Sequence, residues 1–387
     1  MRRGKTARLL YGATDLGAAH FSADMLWRTG FHVPDPLFLA EIAGEIFLFA
    51  SPLEAGRARK EADVDHVVRT VGSGRAAVID FLKARGIWCL EIPADFPYAM
   101  GTALGKEFSI AVASDPWYPG RAKKSRAEIH EIRLAQRATE RAFAAVMDFL
   151  RGCRIRGSRV YHDRRPATSE MARHIIDDAL WKQGYLATDT IVASGVQAAD
   201  PHCIGRGALR ARVPIVIDIF PVSRATHYYA DMTRTVFKGE PSEEYAKMYE
   251  TVLAAQEQAI ASIRAGTDGK EIYDSVCRYF EEAGYPTRTD GKTSEGFIHG
   301  LGHGVGMEIH EHPNLGARNW KLEAGNVITV EPGLYYPFAP SPLKSRGWAR
   351  SIIPAGGIRI EDMVLVTKTG YERLTKFPKD LTRMIIS

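Results

Sequence analysis

Glycine stands at every second position from Gly300 to Gly306 in the segment His299-Gly-Leu-Gly-His-Gly-Val-Gly. Two histidines four apart would suit a helical zinc motif, yet each glycine costs a helix roughly 1 kcal/mol relative to alanine. The alternation has the two-residue period of a strand. His299, Leu301, His303 and Val305 then share one face. The other face is bare backbone, open to close approach by a substrate chain or another strand. A lone histidine on such a strand is more often structural. A pair of them, followed by His310-Glu311-His312-Pro313, points to chemistry.

Four further apolar runs each carry an acid. Asp218 lies in Val213 to Phe220, Asp231 in Tyr228 to Phe237, Glu331 in Val327 to Tyr335, and Glu361 in Ile358 to Val366. An ionised carboxylate at such a place costs several kcal/mol unless it is paired or bound to a cation. Arg234 and Arg359 are the partners that a purely structural reading supplies. Four acids together with histidines on a fifth strand exceed that reading. Asp218 and Asp231 are separated by prolines and polar residues, which predicts two paired strands with the acids facing each other. Four carboxylates match the charge of two divalent cations. Oxygen-rich ligands with one imidazole suit Mn, Co, Fe or Zn. Two such ions clamp one water and polarise a carbonyl, so the implied reaction class is metal-assisted hydrolysis.

The remaining sequence sets the frame. A chain of 387 residues predicts about two domains. With 45% hydrophobic and 25% charged residues, disordered, collagen-like and coiled-coil classes are excluded. The net charge of +5 is too mild for a dedicated nucleic-acid binder. Cys89, Cys153, Cys203 and Cys277 form no CxxC pair, hence no disulfide framework and no thiolate zinc site; a reducing compartment is the simpler reading. No apolar run approaches the roughly 20 residues of a membrane span, and the amino terminus shows no signal h-region. No membrane partner and a cytoplasmic location are expected.

Glu45 to Ala50 reads as a strand, Ala76 to Arg85 as an amphipathic helix ended by Gly86, and Ile87 to Leu90 as another strand. This predicts a small α/β domain. No phosphate-cradling glycine motif is present. Gly120 to Arg126 is the best linker, and residues 127 to 150 read as one long helix. The boundary is placed at 125, giving domains 1–125 and 126–387. The arginines between Arg151 and Arg165 are read as a solvated turn region. Helices are further expected from Thr168, over Glu244 to Ala265 and over Lys270 to Ala283.

The phrases ADMTRT, HGLGHGVGMEIHEHP, TVEPGLYY and GIRIED, in this order, resemble the pita-bread metallopeptidases, in particular the aminopeptidase P and prolidase branch. The resemblance runs from about Glu128 onward. Residues before 125, notably SPLEAGRARK, resemble the creatinase-type amino-terminal domain of that branch. The implied architecture is a small α/β creatinase-type domain followed by an α+β pita-bread catalytic domain. The implied activity is hydrolysis of the Xaa-Pro bond of dipeptides or peptide amino termini, through a water bridging two metals. By the same resemblance Asp218 is a ligand of one metal, Asp231 and Glu361 bridge both, and His303 binds the other. Glu331 is a ligand and the proton acceptor. His310 contacts the scissile carbonyl, His202 lies near the substrate backbone, His299 on the substrate side, and Arg359 orients the carboxylates. The resemblance favours manganese and implies a proline-containing peptide substrate and a homodimer.

The chain departs from the pattern where Ile219 and Phe220 follow the first aspartate instead of a small residue and glycine. Tyr336 to Pro354 is unusually rich in Pro and Arg. Tyr228, Tyr229, Phe297 and Tyr335 are candidates for a proline pocket, with plain core packing as the alternative. Relatives of this fold also act on non-peptide substrates as hydrolases or lyases, or serve as catalytically silent binding proteins. The silent ones usually lose ligands that this chain keeps.

Overall fold

Alternating apolar side chains build the first sheet. The computed structural model describes residues 5–289, 293–338 and 353–387. The chain divides into two compact units, Met1–Arg121 and Ala122–Ser387. In the first unit, strands β1 (Lys5–Gly12), β2 (Leu37–Ile42), β3 (Glu45–Ala50), β4 (His66–Arg69), β5 (Ile87–Ile92) and β6 (Ser109–Val112) form a mixed sheet ordered β4-β3-β2-β1-β5-β6. Leu37 and Leu39 on β2 join a core with Met25 of α1 (Ala23–Thr29) and with Ala55 and Ala58 of α2 (Ala55–Glu61). Phe38, Ala40 and Ile42 alternate with them. They pack in a second core with Val78 and Leu82 of α3 (Gly74–Ala84) and Leu104 of α4 (Tyr98–Leu104). The sheet is thus covered on both faces, as an α/β layer requires.

The second unit opens on α5 (Arg126–Gly152). Its start is set by a capping box in which Ser125 and Glu128 satisfy each other's backbone N–H groups. Ala138, Ala142, Phe143, Val146 and Leu150 of α5 enter a large core. There follow β7 (Arg154–Arg156), β8 (Arg159–His162), β9 (Arg165–Pro166), α6 (Ser169–Trp181), β10 (Tyr185–Leu186), β11 (Ile191–Ser194), β12 (Ile215–Ile219), β13 (Val222–Ser223) and β14 (Met232–Lys238). Helices α7 (Glu243–Ala261) and α8 (Gly269–Glu282) come next, each ending a few residues from where the periodicity placed it. Short β15 (Arg288–Thr289) and β16 (Ser294–Glu295) lead to β17 (Gly302–Gly304), β18 (Glu311–Leu315), β19 (Val327–Val330) and β20 (Gly333–Tyr336). β21 (Gly356–Arg359), β22 (Asp362–Val366), β23 (Tyr371–Arg373), α9 (Leu381–Met384) and β24 (Ile385–Ile386) complete the chain.

Two sheets carry the site, one ordered β11-β12-β14-β24 and one β18-β17-β19-β22-β23. The arginines Arg151, Arg154, Arg156, Arg159, Arg164 and Arg165 are all exposed on and around β7–β9, so this stretch is a solvated face. No helix among the described residues is long and apolar enough to cross a membrane.

The glycine-rich segment is only partly the strand expected. Three residues, Gly302 to Gly304, pair with both neighbours. The bare face is filled by protein. A Cβ at Gly302 would sit 2.1 Å from the Thr329 carbonyl oxygen, and one at Gly304 2.4 Å from that of His312. The glycines let adjacent strands close on the histidine-bearing one, leaving no room there for substrate.

Candidate metal centre

All nine side chains singled out in the sequence line one cavity of about 550 Å³: Asp218, Asp231, His303, Glu331, Glu361, His202, His299, His310 and Arg359. Asp218 stands on β12. Asp231 immediately precedes β14, Glu331 follows β19, and Glu361 lies between β21 and β22. Three of the four acids thus sit at strand ends, where the backbone turns their carboxylates together. The pairing of β12 with β14 sets Asp218 opposite Thr233. Asp218 and Asp231 therefore share a face diagonally, which corrects the expectation that they face each other directly across the paired strands.

The donor atoms converge. Those of Asp231, His303 and Glu361 lie within 4.8 Å of one another. His303 Nε2 is 3.2 Å from Glu331 Oε1 and 3.7 Å from Asp231 Oδ2. His303 Nδ1 lies 3.1 Å from the Gly304 carbonyl oxygen, which can only accept, so Nδ1 carries the proton. Its Nε2 therefore turns a lone pair toward two carboxylates, an arrangement that holds only with a proton or a cation between them. Thr233 Oγ1 donates to Glu361 Oε2 (2.8 Å), and Thr329 Oγ1 to Glu331 Oε1 (3.3 Å). Arg359 Nη2 donates to Asp218 Oδ2. Asp218 Oδ1, Asp231 Oδ1 and Glu361 Oε1 are buried with no hydrogen-bond partner. Buried carboxylate oxygens without donors are costly and rare. A divalent cation satisfies all three, so the donor set fits a metal centre.

Without metal the cavity is electrostatically strained. Burial and the nearby Glu361 and Asp218 push the Asp231 carboxyl well above its ordinary range. Burial, Glu331 and Asp218 do the same to Glu361. For His303, burial works downward, but the hydrogen bond and charge of Glu331 outweigh it and raise the imidazole. Burial works upward on Glu331, yet the hydrogen bond and charge of His303 hold it at about 2. Burial lowers His299 and His310.

A pH dependence follows from these directions. In the folded, metal-free protein Asp231, Glu361 and His303 keep protons that the unfolded chain has released, so their contribution to stability is lost as pH rises. Two opposing groups, His299 and His310, are lowered in the folded protein, so their opposite contribution fades as pH rises through the unfolded value of about 6.5. Glu331 acts only at acid pH, losing its contribution as pH falls from 4.5 toward about 2. The melting temperature of chelator-treated protein is therefore expected to fall as pH rises beyond the ordinary imidazole range, about 6.5. Saturating divalent metal should flatten that slope. A metal-free protein whose stability is level or rises over this window would contradict the assignment.

Residues to which the sequence reading gave no role in holding the acids support them in the structure. Thr233 and Thr329 lie two positions from Asp231 and Glu331, on the same strand face, and that period-two spacing was the signal that could have found them. Tyr335 is fully buried; its hydroxyl accepts from Arg359 Nη1 (3.1 Å) and lies 2.9 Å from His299 Nε2. Since His299 Nδ1 faces the Gly300 carbonyl oxygen at 2.7 Å, Tyr335 is the donor to Nε2. None of the four aromatics proposed for a proline pocket lines the cavity. Tyr228 bonds Glu128, and Phe297 packs on Phe280 and Tyr273. The apolar side chains of the lining are Ile191, Pro201, Phe220, Ile298, Ile309 and Leu315 instead. Most of the Pro- and Arg-rich stretch, residues 339–352, lies outside the described residues.

The profile of metallopeptidase family M24 matches residues 130–368. A Xaa-Pro dipeptidase of Pyrococcus furiosus is 39% identical over 203 residues, covering 50% of this chain and 49% of that protein. The chain spans about half the length of the curated relatives it matches in this way. Among solved structures, a Xaa-Pro dipeptidase from Bacillus anthracis superimposes with a TM-score of 0.79 at 27% identity, covering 97% of this chain and 94% of that one. A prolidase from Pyrococcus horikoshii gives 0.78 at 27% identity, covering 97% and 95%.

Proposed function

The chain belongs to metallopeptidase family M24, with the pita-bread fold, and on that premise we propose that it is a two-metal peptidase cleaving Xaa-Pro bonds. The observation that carries the proposal is the set of buried, partnerless oxygens on Asp218, Asp231 and Glu361 around the His303 lone pair. A silent binding protein has no use for such a set. Asp218, Asp231, His303, Glu331 and Glu361 would hold the two ions, Asp231 and Glu361 serving both. Bound there, divalent ions lower the pKa of a water and polarise the scissile carbonyl.

The chain's own groups supply the rest. Glu331 accepts the proton of the attacking water. His310 donates to the developing oxyanion. Its ring lies 4.3 Å, centroid to centroid, from that of His303, and burial keeps it neutral. His202, at the exposed rim, meets the substrate backbone, and His299 lies on the substrate side. Arg359 holds Asp218 in place. The family resemblance supports manganese, a homodimer and a cytoplasmic location as parts of the same proposal.

A release assay on Xaa-Pro dipeptides, Xaa-Pro-Yaa tripeptides and matched alanine controls tests it. A proline ring exchanged for alanine loses two methylenes, each worth roughly 0.8 kcal/mol when buried. Packing alone then favours proline about tenfold. Phe220 is half-buried in the cavity wall, two residues beyond Asp218. Phe220→Gly is expected to widen the accepted peptide length. Protein that holds two metals yet turns over no Xaa-Pro peptide with Mn, Co, Fe or Zn would hand the site to non-peptide chemistry.

A further inference from the structure

Outside the cavity lies a buried polar cluster for which the proposed reaction has no use. Arg234 has no exposed surface. Its Nη1 donates to the carbonyls of Thr233 (2.9 Å) and Glu361, and its Nη2 to Asp362 Oδ1 (2.7 Å) and the Phe377 carbonyl (2.8 Å). Lys379 Nζ donates to Asp362 Oδ2 (2.6 Å) and to Gln256 Oε1. Gln256, also without exposed surface, donates through Nε2 to the carbonyls of Val330 (3.0 Å) and Ile360 (3.2 Å).

The acceptors are not scattered. Of the acceptor carbonyls, three stand at two of the acids: Val330 directly precedes Glu331, Ile360 directly precedes Glu361, and one is that of Glu361 itself. A single linked cluster thus grips the backbone on which two of the four acids stand. Val330 and Asp362 also face each other across the β19–β22 pair, so the strands bearing Glu331 and Glu361 are tied twice, once by the ladder and once by side chains. Arg234, Lys379 and, at 3.7 Å, Arg373 meet on the fully buried Asp362, and Glu257 pairs with Lys379 and Arg373; burying such charges is expensive if stability alone is served, since packed apolar residues often do as well. Fixing the spacing of metal ligands needs directional bonds.

We propose that Arg234, Gln256 and Lys379 are positioning residues for the metal centre. Gln256 and Arg234 hold the Val330, Ile360 and Glu361 carbonyls, Lys379 anchors Gln256 and Asp362, and together they set how tightly Glu331 and Glu361 bind metal. The inference rests on the metal-site reading above.

Gln256→Met removes both carbonyl bonds at nearly constant volume, and Lys379→Met provides a second, independent variant should the first fail to fold. Co²⁺ titration of the metal-free full chain, followed by visible d–d absorption, gives the affinity. The apparent dissociation constant is expected to rise about 10- to 100-fold, the usual cost of losing an outer support of a metal ligand. Lys379→Arg, which keeps charge and donors, should remain near the parent. KM for a dipeptide at saturating metal should be unchanged, because none of the three residues lines the cavity. A lower melting temperature with unaltered Co²⁺ affinity would assign the cluster a purely structural role and overturn the inference alone. A parent protein that takes up no Co²⁺ would overturn the metal-site reading as well.

Discussion

Asp231→Ala and Glu361→Ala are each expected to strip both metal ions and reduce Xaa-Pro turnover to the detection limit. The two carboxylates are at least 95% buried, sit where the donor atoms converge, and each keeps one oxygen without a protein partner. Removing either takes away the charge that a pair of cations needs at its centre. The effect should exceed that of Asp218→Ala, because Asp218 already spends one oxygen on Arg359 and serves chiefly one ion. Elemental analysis after metal loading and gel filtration checks this. Retention of one tightly held equivalent by Glu361→Ala would show that the carboxylate does not bridge. Metal-free protein with either substitution should also melt less steeply with pH, since a raised carboxyl has been deleted.

His310→Ala should leave metal content near that of the parent and lower kcat by about 10²–10³, the typical cost of one donor to a developing oxyanion. His310 lines the cavity beside His303 and is not among the three residues whose donor atoms cluster. A group bound to substrate equally in ground and transition states would change KM instead. Steady-state kinetics and metal analysis on the same preparation separate the outcomes. Unchanged kcat, or lost metal, would show that the role is assigned wrongly.

The acids that line the cavity were legible because each interrupts an apolar run, a placement that local chemistry does not tolerate without a partner. The helices were legible from capping and period. Thr168 marks a start that the structure shows as an N-cap, and the period of residues 127 to 150 matches α5. What local patterns could not show was long-range geometry. Arg234 meets Asp362 at a separation of 128 residues and Gln256 meets Ile360 at 104, so no spacing in the chain announces the cluster. The aromatic guess failed for a related reason. Tyr335 is close to Glu331 in the chain, but its ring packs behind Arg359 and His299, and nearness in sequence does not say which side of a sheet a residue faces. The glycine alternation was read as room for substrate or a strand; the Thr329 and His312 backbones take that room.

The most direct measurement is metal stoichiometry joined to activity in the unaltered protein. Loaded gently with Mn²⁺ and freed of excess, each chain should hold two equivalents, and Xaa-Pro hydrolysis should reach its maximum only as the second binds. A stable maximum of one equivalent with full activity would contradict the two-metal account.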